Sequence, residues 1–297
     1  VETPPDKPGS GRPGVWLTDW FPQDGDRLRA KIKPKDWMRL NDNRVLNCGE
    51  FILDAPGGSF FPCGISLDGV SEPADEGFTG TQRSQVWENA TIQKIASDMA
   101  GRAGLVLSYD AGNVPVKVKE QQNAPDANFL RGLCDDYGLC MKVYEKKLVI
   151  YDREQYKQRP APPNLHFGPT DIRISFRKMK KGTYTGGRLV YTDSRQEEKV
   201  EFKVGGGKRV LTINRKADDR ADAERLIRAA VNKANHGATT VNFSMMGNPD
   251  VCAALCFEIT GFGKLDGKYF VDSVTHSVAD GGGYTTSGTA SRVETGL

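Results

Sequence analysis

No stretch of the 297 residues approaches the eighteen or so consecutive apolar positions that a membrane-spanning helix needs. The opening Val-Glu-Thr-Pro-Pro-Asp-Lys also lacks the apolar core of a signal peptide. These absences predict a soluble chain outside any secretory route, with no membrane among its partners. Excess charge is lacking too. Forty-one basic and 38 acidic side chains leave a net charge of +3, which argues against a dedicated nucleic-acid binder. The three histidines, His166, His236 and His276, are scattered, and the pair Cys252 and Cys256 has no second ligand pair nearby, so no metal site and no cofactor is expected. Cysteines are sparse: Cys48, Cys63, Cys134, Cys140, Cys252 and Cys256. Most fall inside apolar strand or helix patterns, where a free thiol acts as a small hydrophobe, and the reducing cytosol is the expected setting.

What is present divides the chain by texture. Residues 1–14 hold prolines and glycines with almost nothing apolar and read as a disordered or clamped arm. Residues 15–80 form a first β region: Leu28, Ala30 and Ile32 alternate with charged residues, and Phe51 with Leu53 and Ile65 with Leu67 do the same. Residues 81–158 are mixed. Ile92, Ile95, Ala96 and Met99 have helical spacing behind Thr91 as N-cap, with Gly101 and Gly104 as the stop. A second helix has Asp126 as N-cap and Phe129, Leu130, Leu133, Cys134 and Tyr137 as its buried stripe. Met141 and Val143, a turn at Glu145-Lys146-Lys147, then Leu148 and Ile150 read as a hairpin.

Residues 159–164 make a proline-rich linker. Residues 165–297 are again β-rich, with one strong amphipathic helix carrying Ala223, Leu226, Ile227, Ala230, Val231 and Ala234. Strand-like runs lie at 172–176, 188–192, 200–204, 210–213, 257–260, 269–276 and 284–292, and the expected product is a closed or nearly closed barrel with the helix against it. The fold class is α+β, mainly β.

Chemical motifs have bland explanations. Gly261, Gly263 and Gly267 are spaced G-x-G-x-x-x-G and lead into a strand, so no helix N-terminus is offered to phosphates, and a hairpin turn is expected. Gly205 to Arg209 lacks the Ser or Thr of a P-loop. The carboxylate pairs Asp135-Asp136 and Asp218-Asp219 suit helix ends better than glycoside hydrolysis. No orienting group completes a Cys with His276. The expectation is therefore no catalytic residue and no enzyme. The run Arg177, Lys178, Lys180, Lys181 fits either a solvated loop or the lining of a pore.

An internal echo carries more. Gly49-Glu50-Phe51-Ile52-Leu53-Asp54 resembles Gly267-Lys268-Tyr269-Phe270-Val271-Asp272, and each is followed by another strand-like run, as two copies of one unit would be.

Asn248-Pro249, Ile259 to Gly263 with Gly261 and Gly263, Asp266-Gly267-Lys268-Tyr269-Phe270-Val271, His276, and Gly283-Tyr284-Thr285-Thr286 with Arg292-Val293 resemble, in order and spacing, the C-terminal signature of the phage late control protein D and baseplate hub family. Trp20-Phe21-Pro22 with Gly25-Asp26, then Cys48 to Phe51, resemble its first barrel. Trp87, Asp126, Leu133-Cys134 and Lys147 to Tyr151 resemble its middle domain. The chain departs from the pattern in its proline- and glycine-rich arm, where the family has further strand-forming residues, and at Cys252 and Cys256, where small or aliphatic residues are expected. The N-terminus thus reads as truncated or continued elsewhere, and the first barrel as open to being incomplete.

The resemblance implies two tail-tube-like β-barrel domains flanking a small mixed αβ domain. It implies a structural hub of a contractile phage tail or phage-tail-like injection particle, similar to the base of the type VI secretion spike protein. Such a hub is a homotrimer joining the hexameric tail tube, or a tube-initiator protein, to the trimeric central spike, among other baseplate proteins. DNA or cargo would only pass through its lumen. It would assemble in the cytoplasm of the producing bacterium and end in the baseplate of the particle. The alternatives are a cell-wall-binding or cell-wall-degrading tail component, and a freestanding metal-dependent enzyme.

Overall fold

The computed structural model describes residues 21–294 except 24, 60–63, 72–75, 145, 180–181 and 194–197. The arm, Trp20, Cys63, Glu145, Lys180 and Lys181 lie outside the described residues.

Three strands, β1 (Arg27–Ile32), β2 (Leu46–Ser59) and β3 (Gly64–Val70), form an antiparallel meander in the order β1-β2-β3. The alternation in sequence puts Leu28, Phe51, Leu53, Ile65 and Leu67 on one face. Of these only Leu53 is buried, and the rest are half-buried.

The middle of the chain runs α1 (Glu76–Thr79), β4 (Gln82–Thr91), α2 (Ile92–Arg102), β5 (Val106–Asp110), β6 (Pro115–Pro125), α3 (Asp126–Asp136), β7 (Leu139–Tyr144), β8 (Lys147–Asp152) and α4 (Arg153–Gln158). β4 pairs with β6, while β8 lies between β7 and a parallel β5. α2 starts where the sequence indicates: Thr91 Oγ1 accepts from the Lys94 amide at 3.1 Å, and Ile92, Ile95, Ala96 and Met99 are buried. α3 differs from expectation at its start, because Pro125 occupies the cap position and Asp126 is the first helical residue. The Asp126 carboxylate turns inward, 1% exposed, to accept from Arg102 Nε at 3.1 Å and Gln121 Nε2 at 2.8 Å. The guanidinium of Arg102, brought against it by the fold, outcompetes the helix amides for it. α4 was absent from the sequence reading, although Asp152 caps it by accepting from the Glu154 and Gln155 amides. The proline-rich stretch that follows begins docked, with Arg159 on Asp110 at 2.8 Å and over the Tyr156 ring at 3.7 Å.

The remainder runs β9 (His166–Phe167), β10 (Ile172–Lys178), β11 (Gly186–Asp193), β12 (Glu198–Gly205), β13 (Val210–Asn214), α5 (Arg220–Asn235), β14 (Thr239–Met246), β15 (Cys256–Ile259), β16 (Gly267–Ala279) and β17 (Gly283–Arg292). Six of these strands make one sheet in the order β10-β14-β17-β16-β15-β9. It curls hard. Phe243 on β14 and Phe257 on β15 are separated by two strands, which in a flat sheet would set them about 14 Å apart, yet their ring centroids are 5.3 Å apart. β14 was missed in sequence, although Thr239, Val241, Phe243 and Met245 alternate as its buried face.

The strong helix needs a correction. The expectation set it against the closing barrel, but α5 lies on a separate three-stranded sheet, β12-β11-β13, and shares a core with α2, α3 and β8. A glycine explains the seating. A β-carbon at Gly187 on β11 would come within 2.6 Å of Ile227 and 2.8 Å of Val231, so the bare backbone lets the helix settle on the sheet. Tyr137 Oη donates to the buried Asp222 carboxylate at 2.8 Å and ties α5 to α3.

Candidate functional site: an assembly interface

The residues singled out between Asn248 and Thr285 fall into two clusters at opposite ends of β16, nine residues or about 30 Å apart along the strand.

At the start of β16, Gly261 and Gly263 take positive φ in the β15–β16 turn, as a hairpin turn requires. Phe262 donates its amide to Asp266 at 2.6 Å, and Arg292 caps the turn by donating to the Lys264 and Asp266 carbonyls. Lys268 donates to the Arg159 carbonyl at 3.2 Å, and the buried Tyr269 donates its hydroxyl to the Leu265 carbonyl at 2.8 Å. The bonds of Phe262, Asp266, Tyr269 and Arg292 hold the turn, and that of Lys268 ties the strand to Arg159.

The far end joins the first meander to the last sheet. Gly247 closes β14 by donating to the Tyr284 carbonyl at 2.8 Å, and the Tyr284 ring lies flat on it. Trp37, from the loop between β1 and β2, packs its ring 5.6 Å from that of Tyr284 and donates Nε1 to the Gly247 carbonyl at 2.6 Å. His276 Nε2 lies 3.1 Å from the Val251 carbonyl, which can only accept, so Nε2 carries a proton and Nδ1 receives the Tyr284 hydroxyl at 2.8 Å. Burial holds the His276 imidazole below the usual histidine range and the Tyr284 phenol above its own. Asn248 donates its amide to Thr286, which is fully buried, and its side chain receives the Asp250 amide at 3.0 Å. Asp250 pairs with Arg44 at 3.0 Å, beside Trp37 in the same loop.

This cluster brings together Asn248, His276 and Tyr284, with Pro249 in the same loop. Thr285 lies alongside, exposed, in register between Met246 and Ser277. Phe21 is exposed and Pro22 buried, both remote in sequence from the cluster. Trp37 and Arg44 were missed. A lone tryptophan in the polar run Pro34 to Arg44 was the available signal.

The echo proves to be structural. Gly49 and Gly267 both have positive φ, +105° and +140°. Counting from them, Leu28 stands opposite Phe51 as Phe257 does opposite Tyr269, and Ala30 opposite Gly49 as Ile259 does opposite Gly267. On the other side Leu53 stands opposite Gly69 as Val271 does opposite Ala290. The register then slips at Asp54 in one copy and at Asp272 in the other, each skipped by its ladder. Beyond the bulge the registers stay in step to Ser59–Gly64 and Ser277–Thr285. β1-β2-β3 and β15-β16-β17 are thus the same meander, position by position.

Among the described residues no three His, Cys, Asp or Glu side chains gather as metal ligands would. Of the basic run, Arg177 and Lys178 end β10 with exposed side chains.

No protein-family model and no curated protein matches the chain. Solved structures do. The 43 kDa tail protein of prophage MuSo2 from Shewanella oneidensis superposes with a TM-score of 0.64 at 12% identity, over 90% of this chain and 89% of that one. A tail protein from Neisseria meningitidis gives 0.63 at 13% identity, over 84% and 81%. A type VI secretion component of E. coli, described as similar to the T4 tail proteins gp27 and gp5, gives 0.51 at 11% identity, over 84% and 61%. Over most of its length this chain has the fold of phage tail proteins.

Proposed function

We propose that the chain is a structural subunit of the baseplate of a contractile phage tail or related injection particle, the hub that joins the hexameric tail tube to the trimeric spike. The observation that carries this reading is the repeated meander. A threefold assembly can present six similar units only if each chain carries the unit twice, and β1-β2-β3 and β15-β16-β17 share register and bulge. The two meanders are fastened by the Trp37, Tyr284 and His276 cluster, so their spacing is set within one polypeptide. The tail-protein fold supports the same setting. The side chains of Lys268, Tyr269, His276 and Tyr284 make turn and clamp bonds, which fits a scaffold. In this reading the functional boundaries follow the two meanders, with 81–158 as the αβ unit between them. The partners are two further copies of the chain, the spike, the tube or its initiator and other baseplate proteins, and the destination is the baseplate of the finished particle.

Light scattering of the chain alone, and mixed with the spike protein of the same particle, tests the proposal. A mass of three chains is expected in at least one sample. If neither exceeds one copy, the adaptor reading fails.

A further inference from the structure

The two meanders differ in what lies on their outer edge. In the second copy β17 is covered by β14, which places Val241, Phe243 and Met245 opposite Ala290, Gly288 and Thr286. Their counterparts in the first copy are Gly69, Leu67 and Ile65 on β3. Among the described residues β3 has no strand on that edge, and Gly64, Ser66, Asp68, Gly69 and Val70 are exposed. The loss shows beneath it. Leu28 and Phe51 are half-buried, whereas their counterparts Phe257 and Tyr269 are fully buried. One further edge has the complementary character: β10 ends the six-stranded sheet and carries Phe176 at 60% exposure.

We propose that β3 of one copy pairs antiparallel with β10 of a second copy, Leu67 opposite Ile174 and Asp68 opposite Arg173, so that neighbouring copies complete each other's sheets. This rests on the reading of the chain as an assembling subunit, and adds the surface by which its copies meet.

Three observations converge on that register. The first is the face. Ile172, Ile174 and Phe176 would stand opposite Gly69, Leu67 and Ile65, as β14 places Val241, Phe243 and Met245 in the second copy. The second is ladder parity. Ile174, Phe243 and Gly288 are aligned across three strands, so the backbone groups of Ile174 and Gly288 point the same way across the sheet, and when one of the two faces Phe243 the other is turned away from it. Leu67 is the counterpart of Gly288, so Leu67 and Ile174 present matching groups to each other in either case. The third is charge. Sliding the pairing by two residues one way sets Asp68 against Asp171, and by two the other way against Ser175. The proposed register sets it against Arg173 and leaves Ser66 opposite Ser175. An exposed apolar edge of this kind must be paired or it invites aggregation. The contact uses different patches on the two copies, so it closes into a ring when the rotation permits.

The test uses the full chain. Chains carrying Ser66→Cys or Ser175→Cys are mixed under mild oxidation, the two positions lying within disulfide reach across an antiparallel pair. A reducible dimer is expected from the mixture and from neither chain alone. In sedimentation, Asp68→Arg and Arg173→Asp should each weaken self-association about tenfold, and the chain carrying both should recover it. All four sites are exposed, and circular dichroism checks that each variant folds as the parent does. Trimers that form with no crosslink and no response to charge reversal overturn the pairing and leave the hub reading standing. A chain that never exceeds one copy and never crosslinks overturns both. Association that occurs only through a different tail protein lying on β3 gives no direct crosslink and also overturns the pairing.

Discussion

Gly247→Ala probes the clamp between the two meanders. A β-carbon at position 247 would lie 2.1 Å from two ring atoms of Tyr284, well inside any tolerated contact. The ring has nowhere to retreat, with Trp37 packed at 5.6 Å and the hydroxyl held by His276 at 2.8 Å. Relief requires the ring to swing off Gly247, giving up the His276 bond and the Trp37 contact together. Overpacking of this kind costs about 2 kcal/mol, and a lost neutral hydrogen bond about 1 kcal/mol more. The variant should therefore lose about 3 kcal/mol, which at a urea slope of about 3 kcal/mol/M lowers the unfolding midpoint by about 1 M. Urea titration followed by circular dichroism measures it. The same substitution in a Tyr284→Ala background separates the steric argument from any intrinsic preference for glycine, because with the ring absent the cost should fall below about 0.5 kcal/mol. A loss of similar size in both backgrounds, or none in the parent, refutes the account of Tyr284 as the neighbour that demands glycine.

Asp126→Ala removes a carboxylate that is 1% exposed and faces Arg102 at 2.9 Å and Arg83 at 3.6 Å. Two half-buried guanidinium groups then lack their counter-ion, and thermal or urea unfolding should register a loss of about 3 kcal/mol, against little for the exposed pair partner in Arg220→Ala. For Cys134, burial pushes the thiol from about 9 to about 12, so the folded state holds its proton where the unfolded state releases it. That contribution is fully present below pH 9 and is lost as pH rises from about 9 towards about 12. Unfolding free energies across this window should fall, and less steeply in Cys134→Ala; equal slopes refute the assignment. Tyr109, raised to about 12 by burial, keeps some slope in either chain.

Legibility in sequence followed the locality of the cause. α2 was readable because Thr91, Ile95 and Met99 act within one helix, and the β7–β8 hairpin because its alternation and turn are contiguous. The seating of α5 was not, since the signal is Gly187 on a strand more than thirty residues upstream, and a glycine in sequence does not say which helix it admits. The Asp126 cap failed for the same reason: the arginines that draw its carboxylate inward are set by the fold. His276 and Tyr284 were singled out by resemblance, but Trp37, which gives their cluster its reach into the first meander, comes from a loop with no periodicity to read.

The echo of six residues exposed a likeness many times its length because of which six they are. In a meander the backbone dictates little beyond the places where the ladder departs from regular pleating, and there residue type is constrained most. The positive φ at Gly49 and Gly267 favours glycine, and the residue skipped by the bulge, Asp54 or Asp272, is left out of the ladder pairing, where a short polar side chain is accommodated. Elsewhere only pattern is required, and composition is free to differ. Opposite Glu50 stands Arg29, whereas the corresponding Lys268 faces Glu258, with the charges exchanged between strands. Both arrangements place opposite charges across the strands, so either satisfies the same geometry. Register therefore measures the relation between the two meanders better than identity does, and it is by register that β3 is seen to lack, among the described residues, the neighbour β17 has.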